Sequence, residues 1–268
     1  LMPTAWAMGL CSVLLGFSLG SVQPMIMSML HQITPPARQG EALVYDPVTL
    51  NVLQDSPVFA GRYMKRFDLD PGAKVPVVLN VFADNPRYLA AKPAQIEAHR
   101  RLVQQAYQLF GSQHYDHYDF LLSLSARMGG IGLEHHRSSE NGVAPEYFTE
   151  WDTRAAGRDL LPHEFTQSWN GKFRRPADLA TPKFNVPMQD SLLWVYEGQT
   201  QYWGNVLAAR SGLLSQDLAR EALALVAMTY SVNRPGFAWR NVQDTTNDPI
   251  IAQRKPQSFT SWQLSEDY

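Results

Sequence analysis

The segment from Leu161 to Pro176, LPHEFTQSWNGKFRRP, constrains this chain most, because it places a set of polar side chains on one helix. His163 and Glu164 are adjacent, and Gln167 stands four positions after His163. Residues four apart share one face of an α-helix. In the HExxH pattern of zinc hydrolases, two histidines with this spacing bind one Zn²⁺, and the glutamate activates the metal-bound water. Here the pattern is HExxQ, so an amide stands at the position of the second histidine.

The charge balance of the chain limits its partners. The 268 residues carry a formal net charge of −2, which does not favour a nucleic acid or another polyanion. The length is sufficient for one large domain or two small ones. Cys11 is the only cysteine, which excludes an intrachain disulfide and leaves the redox compartment open.

The head of the chain differs from the rest in composition. Leu1 to Ala37 contains no Asp, Glu, Lys or Arg, and Met2 to Leu30 is almost wholly apolar or small. Because about 20 apolar residues span a bilayer, this composition favours a transmembrane helix and membrane association through residues 2–30. A secretory signal and a buried soluble helix are the competing interpretations. We expect a bacterial-type location at a membrane if the head forms such a helix, and otherwise in the cytoplasm or periplasm.

The rest of the chain predicts strands first and helices second, which indicates an α+β fold. The short β-rich runs 61–69, 75–82 and 118–124 are predicted strands, and Gly129 to Asn141 is a predicted edge strand. Pro93 and Gly111 are typical first and following positions of a helix between them. The motif helix is predicted at 158–170 and another helix at 190–211. Ser215 is the predicted N-cap of a last helix, in which Leu218, Ala222, Leu225 and Thr229 share one face.

Two further carboxylates support a functional interpretation of the motif helix. Glu197 lies on the next predicted helix, within LLWVYEGQTQYWG. Glu134 lies on the glycine-rich edge strand, GGIGLEHHRSSEN. His135 and His136 follow Glu134, but adjacent residues of a strand point to opposite faces. We therefore interpret these two histidines as surface or hydrogen-bonded side chains rather than as ligands of one metal ion.

These segments together resemble the glycyl aminopeptidase family, the sixty-first family of metallopeptidases. The resemblance is carried by HEFTQSWNGKFRRPADLATPKF, by LLWVYEGQTQYWG and by GGIGLEHHRSSEN. It extends from about Val44 to the end of the chain. It implies a gluzincin catalytic domain with a thermolysin-like fold, a peptide substrate, and one zinc ion that activates water for the removal of amino-terminal residues. In this family a PDZ domain often follows the catalytic domain.

The resemblance also implies roles for individual residues. His163 and Glu197 would bind zinc together with the residue at position 167, and Glu164 would be the general base. Glu134 occupies the position at which related aminopeptidases bind the α-amino group of the substrate. The oxyanion-stabilising tyrosine of such enzymes would be Tyr268, the last residue, or would lie beyond it.

Two departures from the family pattern lead us to expect impaired activity. Gln167 replaces a zinc histidine, and an amide oxygen is a poor substitute for an imidazole on this metal. Zinc binding is therefore expected to be weakened, or absent if Gln167 cannot ligate. The catalytic domain, residues 44–268, is also truncated relative to the family. The alternative is a catalytically inactive remnant or fusion fragment that at most binds peptides.

A second, less specific resemblance concerns the head. Ser21 to Leu43, SVQPMIMSMLHQITPPARQGEAL, is similar to part of a major facilitator transporter, in which a transmembrane helix leads into a Pro-Pro-x-Arg-x-Gly loop. One or two helices do not make an alternating-access transporter. We therefore expect residues 1–43 to be an anchor, a fragment or the product of a fusion, with a domain boundary at Leu43 and Val44. In a third hypothesis this head is the functional part of the chain.

Overall fold

The computed structural model describes residues 55–183 and 185–231, together with 239, 241 and 243. The predicted hydrophobic segment 1–43, the boundary at Leu43 and the predicted catalytic Tyr268 lie outside these residues. Within the described part of the chain, no helix is both long and apolar enough to cross a membrane.

Five strands form one mixed sheet. They are β1 (Tyr63–Asp68), β2 (Val77–Ala83), β3 (Tyr118–Leu124), β4 (Ile131–Glu134) and β5 (Ser138–Val143). Their order across the sheet is β1-β2-β3-β5-β4. β2, β3 and β5 are mutually parallel, and the outer strands β1 and β4 each pair antiparallel with their neighbours. The edge strand predicted at 129–141 is therefore confirmed in part, as β4 at the border of the sheet, whereas residues 138–141 belong to β5 inside it.

Four α-helices accompany the sheet in the part of the chain that the structure describes. They are α1 (Pro93–Phe110), α2 (Leu160–Trp169), α3 (Gln199–Ser211) and α4 (Gln216–Ser231). α1 begins at Pro93, and Gly111 ends it with φ 66°, a left-handed conformation that glycine adopts without steric cost. The hydroxyl of Ser215 accepts a hydrogen bond from the backbone of Leu218, as expected of an N-cap. The α+β prediction is confirmed.

The core joins the motif helix to the middle of the sheet. The ring of Phe165 on α2 lies 4.7 Å from that of Tyr118 and 5.1 Å from that of Phe120, both on β3. It also contacts the ring of Trp169, 4.9 Å away between centroids. These four rings are buried. Aromatic packing of this kind fixes the position of α2 against the sheet.

Several elements differ from the sequence prediction. β5 follows β4 after a short turn, and His135 and His136 lie in that turn rather than on a strand. The helix predicted at 190–211 is divided into a π-helical turn at Trp194–Gly198 and α3. Every residue of α4 is at least partly exposed. Its predicted apolar face is therefore not part of the core.

Candidate active site

The motif helix and the π-helical turn bring His163, Gln167 and Glu197 together. His163 and Gln167 lie one turn apart on α2. Nε2 of His163 is 3.3 Å from Oε2 of Glu197. The amide nitrogen of Gln167 donates a hydrogen bond of 3.0 Å to the same oxygen. One carboxylate oxygen of the π-helical turn therefore joins both side chains of the HExxQ pattern.

The His163 ring is oriented from its other side. Nδ1 of His163 donates to Oε1 of Gln201 at 2.9 Å, and Nε2 of Gln201 donates to Asp159 at 3.0 Å. The chain comes close here because Gly204 of α3 has no side chain: a Cβ at that position would lie 3.1 Å from Cα of His163. Burial alone would lower the pKa of His163, but the carboxylates of Glu197 and Glu164 raise it above its usual value. Because Nδ1 of His163 is bonded to Gln201, Nε2 is the ring nitrogen that faces Glu197.

Glu164 extends from α2 toward the edge strand. A Cβ at Gly132 of β4 would overlap the Glu164 carboxylate, so this glycine makes room for it. Glu164 is only 4% exposed, and no hydrogen-bond partner for its Oε2 is found among the residues that the structure describes. Burial raises the pKa of Glu164 to about 8, and the nearby charges of Glu134 and Glu197 act in the same direction. A carboxyl group with such a pKa suits proton transfer near neutral pH.

Glu134 ends the edge strand on the same side as Gly132. The hydroxyl of Tyr196, the residue before Glu197, donates to Oε1 of Glu134. Nζ of Lys172 lies 3.9 Å from that oxygen. Burial raises the pKa of Glu134, and Glu197 adds to the effect while Lys172 opposes it. Glu164 and Glu197 thus lie near the imidazole of His163, and Glu134 and Glu197 both raise the pKa of Glu164.

A cavity of about 1040 Å³ opens beside these groups. One wall is formed by the glycine-rich approach to β4 and the strand itself, including Gly130, Ile131 and Gly132. The opposite wall is formed by α2, with His163 and Glu164. The cavity is large enough for several residues of an extended peptide.

The two histidines after Glu134 both contact the carboxylate of Asp55. Nδ1 of His135 and Nδ1 of His136 lie 3.2 Å and 2.7 Å from oxygens of Asp55, and Nε2 of His135 is 3.1 Å from Glu140. Burial alone would raise the pKa of Asp55, but these hydrogen bonds and Lys172 hold it well below its usual value. The interpretation of His135 and His136 as hydrogen-bonded side chains agrees with these contacts.

The side chains at the centre do not make a complete zinc site. Catalytic zinc takes three protein ligands in addition to water. In the part of the chain that the structure describes, no three His, Cys, Asp or Glu side chains form a group that could hold a metal ion. His163 and Glu197 are of residue types that bind zinc. Gln167 stands where the HExxH pattern has its second histidine, and its amide nitrogen donates a hydrogen bond to Glu197.

The sequence identified five of the side chains at this site, His163, Glu164, Gln167, Glu197 and Glu134. Gln167 and His163 contact Glu197, the charge of Glu134 acts on Glu164, and His163 and Glu164 line the cavity. The sequence did not identify Tyr196, Gln201 or Lys172. The only sequence signal for Gln201 was its position one helical turn after Glu197, and Tyr196 and Lys172 act across elements whose contact the sequence does not reveal.

Comparisons with known proteins show similarities in sequence and in fold. Residues 156–268 match the family model of M61 glycyl aminopeptidase. The structure is similar to that of an aminopeptidase N family protein from Idiomarina loihiensis, with a TM-score of 0.58 and 19% sequence identity. The similarity covers 76% of this chain and 35% of that protein, so the chain spans about a third of its length. None of the curated proteins matches the sequence.

Proposed function

With residues 156–268 assigned to the M61 glycyl aminopeptidase family, we propose that this chain is a peptidase-type protein that binds the amino-terminal end of peptides and whose zinc-dependent hydrolysis is impaired. The observation that carries the proposal is the hydrogen bond from the Gln167 amide to Glu197 at the centre of the site.

The binding part of the proposal is supported by the charge of the cleft. A peptide ammonium is a cation, and Glu134 lies at the end of the edge strand, where Glu197 influences its pKa and where its own charge influences the pKa of Glu164. An opposite charge in a partly buried setting is the usual means of recognising such a group. In this arrangement Glu134 binds the amine, and the peptide continues into the cavity along β4.

The hydrolytic part is limited by position 167. Zinc, when bound in a peptidase of this class, would supply the Lewis acid that activates water. Gln167 occupies the place of the third ligand and directs its N–H groups toward Glu197. Glu164 remains suited to proton transfer near neutral pH, since its pKa is about 8 and it lines the cavity. The group suited to proton transfer is therefore retained, while the metal ligand set is incomplete.

Zinc content and hydrolysis together test the proposal. The full chain, its Gln167→His variant and a matched Gln167→Ala variant are stripped of metal, dialysed against zinc and analysed by elemental mass spectrometry. Each is then assayed with glycyl p-nitroanilide. We expect the natural chain and Gln167→Ala to hold little zinc and to release little nitroaniline, and Gln167→His to hold about one zinc ion per chain.

Stoichiometric zinc together with hydrolysis by the natural chain would overturn the impairment. Binding is measured separately, by fluorescence anisotropy, with a Gly-Ala-Phe peptide labelled at its carboxyl end and with its N-acetylated form. Equal affinity for the two peptides would overturn recognition of the amine.

A further inference from the structure

We propose that Tyr196 is a positioning residue for amine recognition: its hydroxyl holds one oxygen of Glu134 so that the other oxygen receives the peptide ammonium. The inference rests on the proposed function, because it assumes that Glu134 binds the amine. It adds a residue and a loop to the site, and both lie outside the HExxQ pattern.

The contact to Glu134 is made from a buried position. Tyr196 is 6% exposed, and its hydroxyl donates to Oε1 of Glu134. Nζ of Lys172 lies 3.9 Å from the same oxygen and 3.5 Å from Oδ1 of Asp55, so this ammonium is shared between two carboxylates. Both contacts to Glu134 involve Oε1. They restrict rotation of the carboxylate and leave Oε2 to the ligand.

The tyrosine ring is seated by the loop that follows the motif helix. Gly171 has φ 142°, a region that favours glycine, and a Cβ there would overlap the ring of Tyr196. The Arg175 guanidinium lies 5.8 Å from the ring centroid, on the same loop. The backbone of Gly171 is itself fixed by its hydrogen bond to the carbonyl of Arg174, 2.9 Å long. The loop therefore positions the ring, and the ring positions Glu134.

The geometry makes this contact more than a packing feature. The hydroxyl belongs to the π-helical turn that also carries Glu197, whereas Glu134 belongs to the sheet edge. A hydrogen bond between them fixes the amine-binding carboxylate relative to the centre of the HExxQ site. A misplaced carboxylate weakens recognition even if its charge is unchanged.

The test measures selectivity for the free amine. Affinities of the full chain for the labelled Gly-Ala-Phe peptide and its N-acetylated form are compared among Tyr196→Phe, Glu134→Gln and the double variant. Tyr202→Phe, which changes an exposed tyrosine of α3, is the matched control. We expect Tyr196→Phe to weaken binding of the free-amine peptide about ten- to hundredfold, the range for a hydrogen bond to a charged group, and to leave the acetylated peptide unaffected.

The double variant separates positioning from a general structural effect. If Tyr196 acts through Glu134, Tyr196→Phe has no further effect once Glu134 is Gln. An equal loss in that background, or a Tyr196→Phe variant that binds like the natural chain, overturns the inference. Gly171→Ala, which displaces the ring without removing its hydroxyl, should reproduce the loss of selectivity.

Failure of the proposed function gives a different result. In that case the natural chain does not distinguish the two peptides, or Glu134→Gln leaves its preference unchanged. If instead Glu134→Gln abolishes the preference and Tyr196→Phe does not reduce it, the proposed function stands and only the role of Tyr196 is wrong.

Discussion

The amide nitrogen of Gln167 lies 3.0 Å from Oε2 of Glu197 and donates a hydrogen bond to it. The same oxygen is 3.3 Å from Nε2 of His163. Two elements that a metal ion would join are thus joined by direct contacts between side chains. One oxygen of Glu197 therefore contacts both residues that stand at the histidine positions of the HExxH pattern.

Gln201 is expected to control zinc affinity once the third ligand is restored. It accepts from Nδ1 of His163 and is itself held by Asp159. In the Gln167→His background, Gln201→Leu should weaken zinc binding by about 10- to 100-fold, because the ring loses the partner that orients it. Competition with a chromophoric chelator measures the affinity. Tyr202→Phe in the same background serves as the control and should leave the affinity unchanged; unchanged affinity in Gln201→Leu would contradict the prediction.

Phe165 is expected to be critical for folding. It is fully buried on α2 and packs against the rings of Tyr118, Phe120 and Trp169. Phe165→Ala should lower the free energy of unfolding by about 3–5 kcal/mol, because it leaves a cavity beneath the motif helix. Urea denaturation measures this difference. Met128 is 61% exposed, and the matched variant Met128→Ala should change the free energy of unfolding by less than about 0.5 kcal/mol.

The elements predicted correctly are those with local signals at both ends. Pro93 and Gly111 mark the ends of α1, and the apolar run Tyr118–Leu124 forms β3 with the predicted bounds. β5 was not predicted as a separate strand: residues 138–141 were included in the one edge strand predicted at 129–141, and the polar sequence SSENGV does not indicate a strand inside the sheet. Ser139 and Asn141 are nevertheless buried in the sheet. The Asn141 amide nitrogen donates to the Ser139 hydroxyl, 2.9 Å away, whereas no partner for the buried Asn141 amide oxygen is found among the described residues.

The site was predicted as a set of residues and not as a set of contacts. His163, Gln167 and Glu164 follow from helical spacing, whereas Glu197 and Glu134 were assigned by family resemblance. That Tyr196 reaches Glu134 depends on the π-helical turn, and periodicity does not distinguish such a turn from an α-helix. Partners of this kind are set by tertiary structure, which a single sequence does not display.

We expect His99 on α1 to make the folded protein less stable at acidic pH. This side chain is fully buried; Nδ1 donates to the carbonyl of Gln95 at 2.7 Å, and Nε2 accepts from the hydroxyl of Tyr147 at 3.0 Å. Both nitrogens are therefore used in the neutral form of the ring. Burial lowers the pKa of His99 to about 4, and the nearby charge of Arg158 acts in the same direction.

The sign of the pH effect follows from proton binding. In the unfolded chain the pKa of a histidine is about 6.5. Below pH 6.5 the unfolded state binds a proton that the folded state excludes, so the free energy of unfolding falls as pH decreases to about 4. The loss attributable to His99 over this window is about 3 kcal/mol. Above pH 6.5 the ring is neutral in both states and contributes no pH dependence.

Urea denaturation at pH 7, 5.5 and 4.5 measures this contribution in the natural chain and in His99→Gln. Glutamine has no group that titrates in this range, so the variant should lose less stability between pH 7 and 4.5 even if it is less stable at pH 7. The difference in the free energy of unfolding between the natural chain and His99→Gln should therefore become smaller as the pH falls. Parallel decreases in the two chains would assign the acid sensitivity to other groups and would contradict a buried neutral His99.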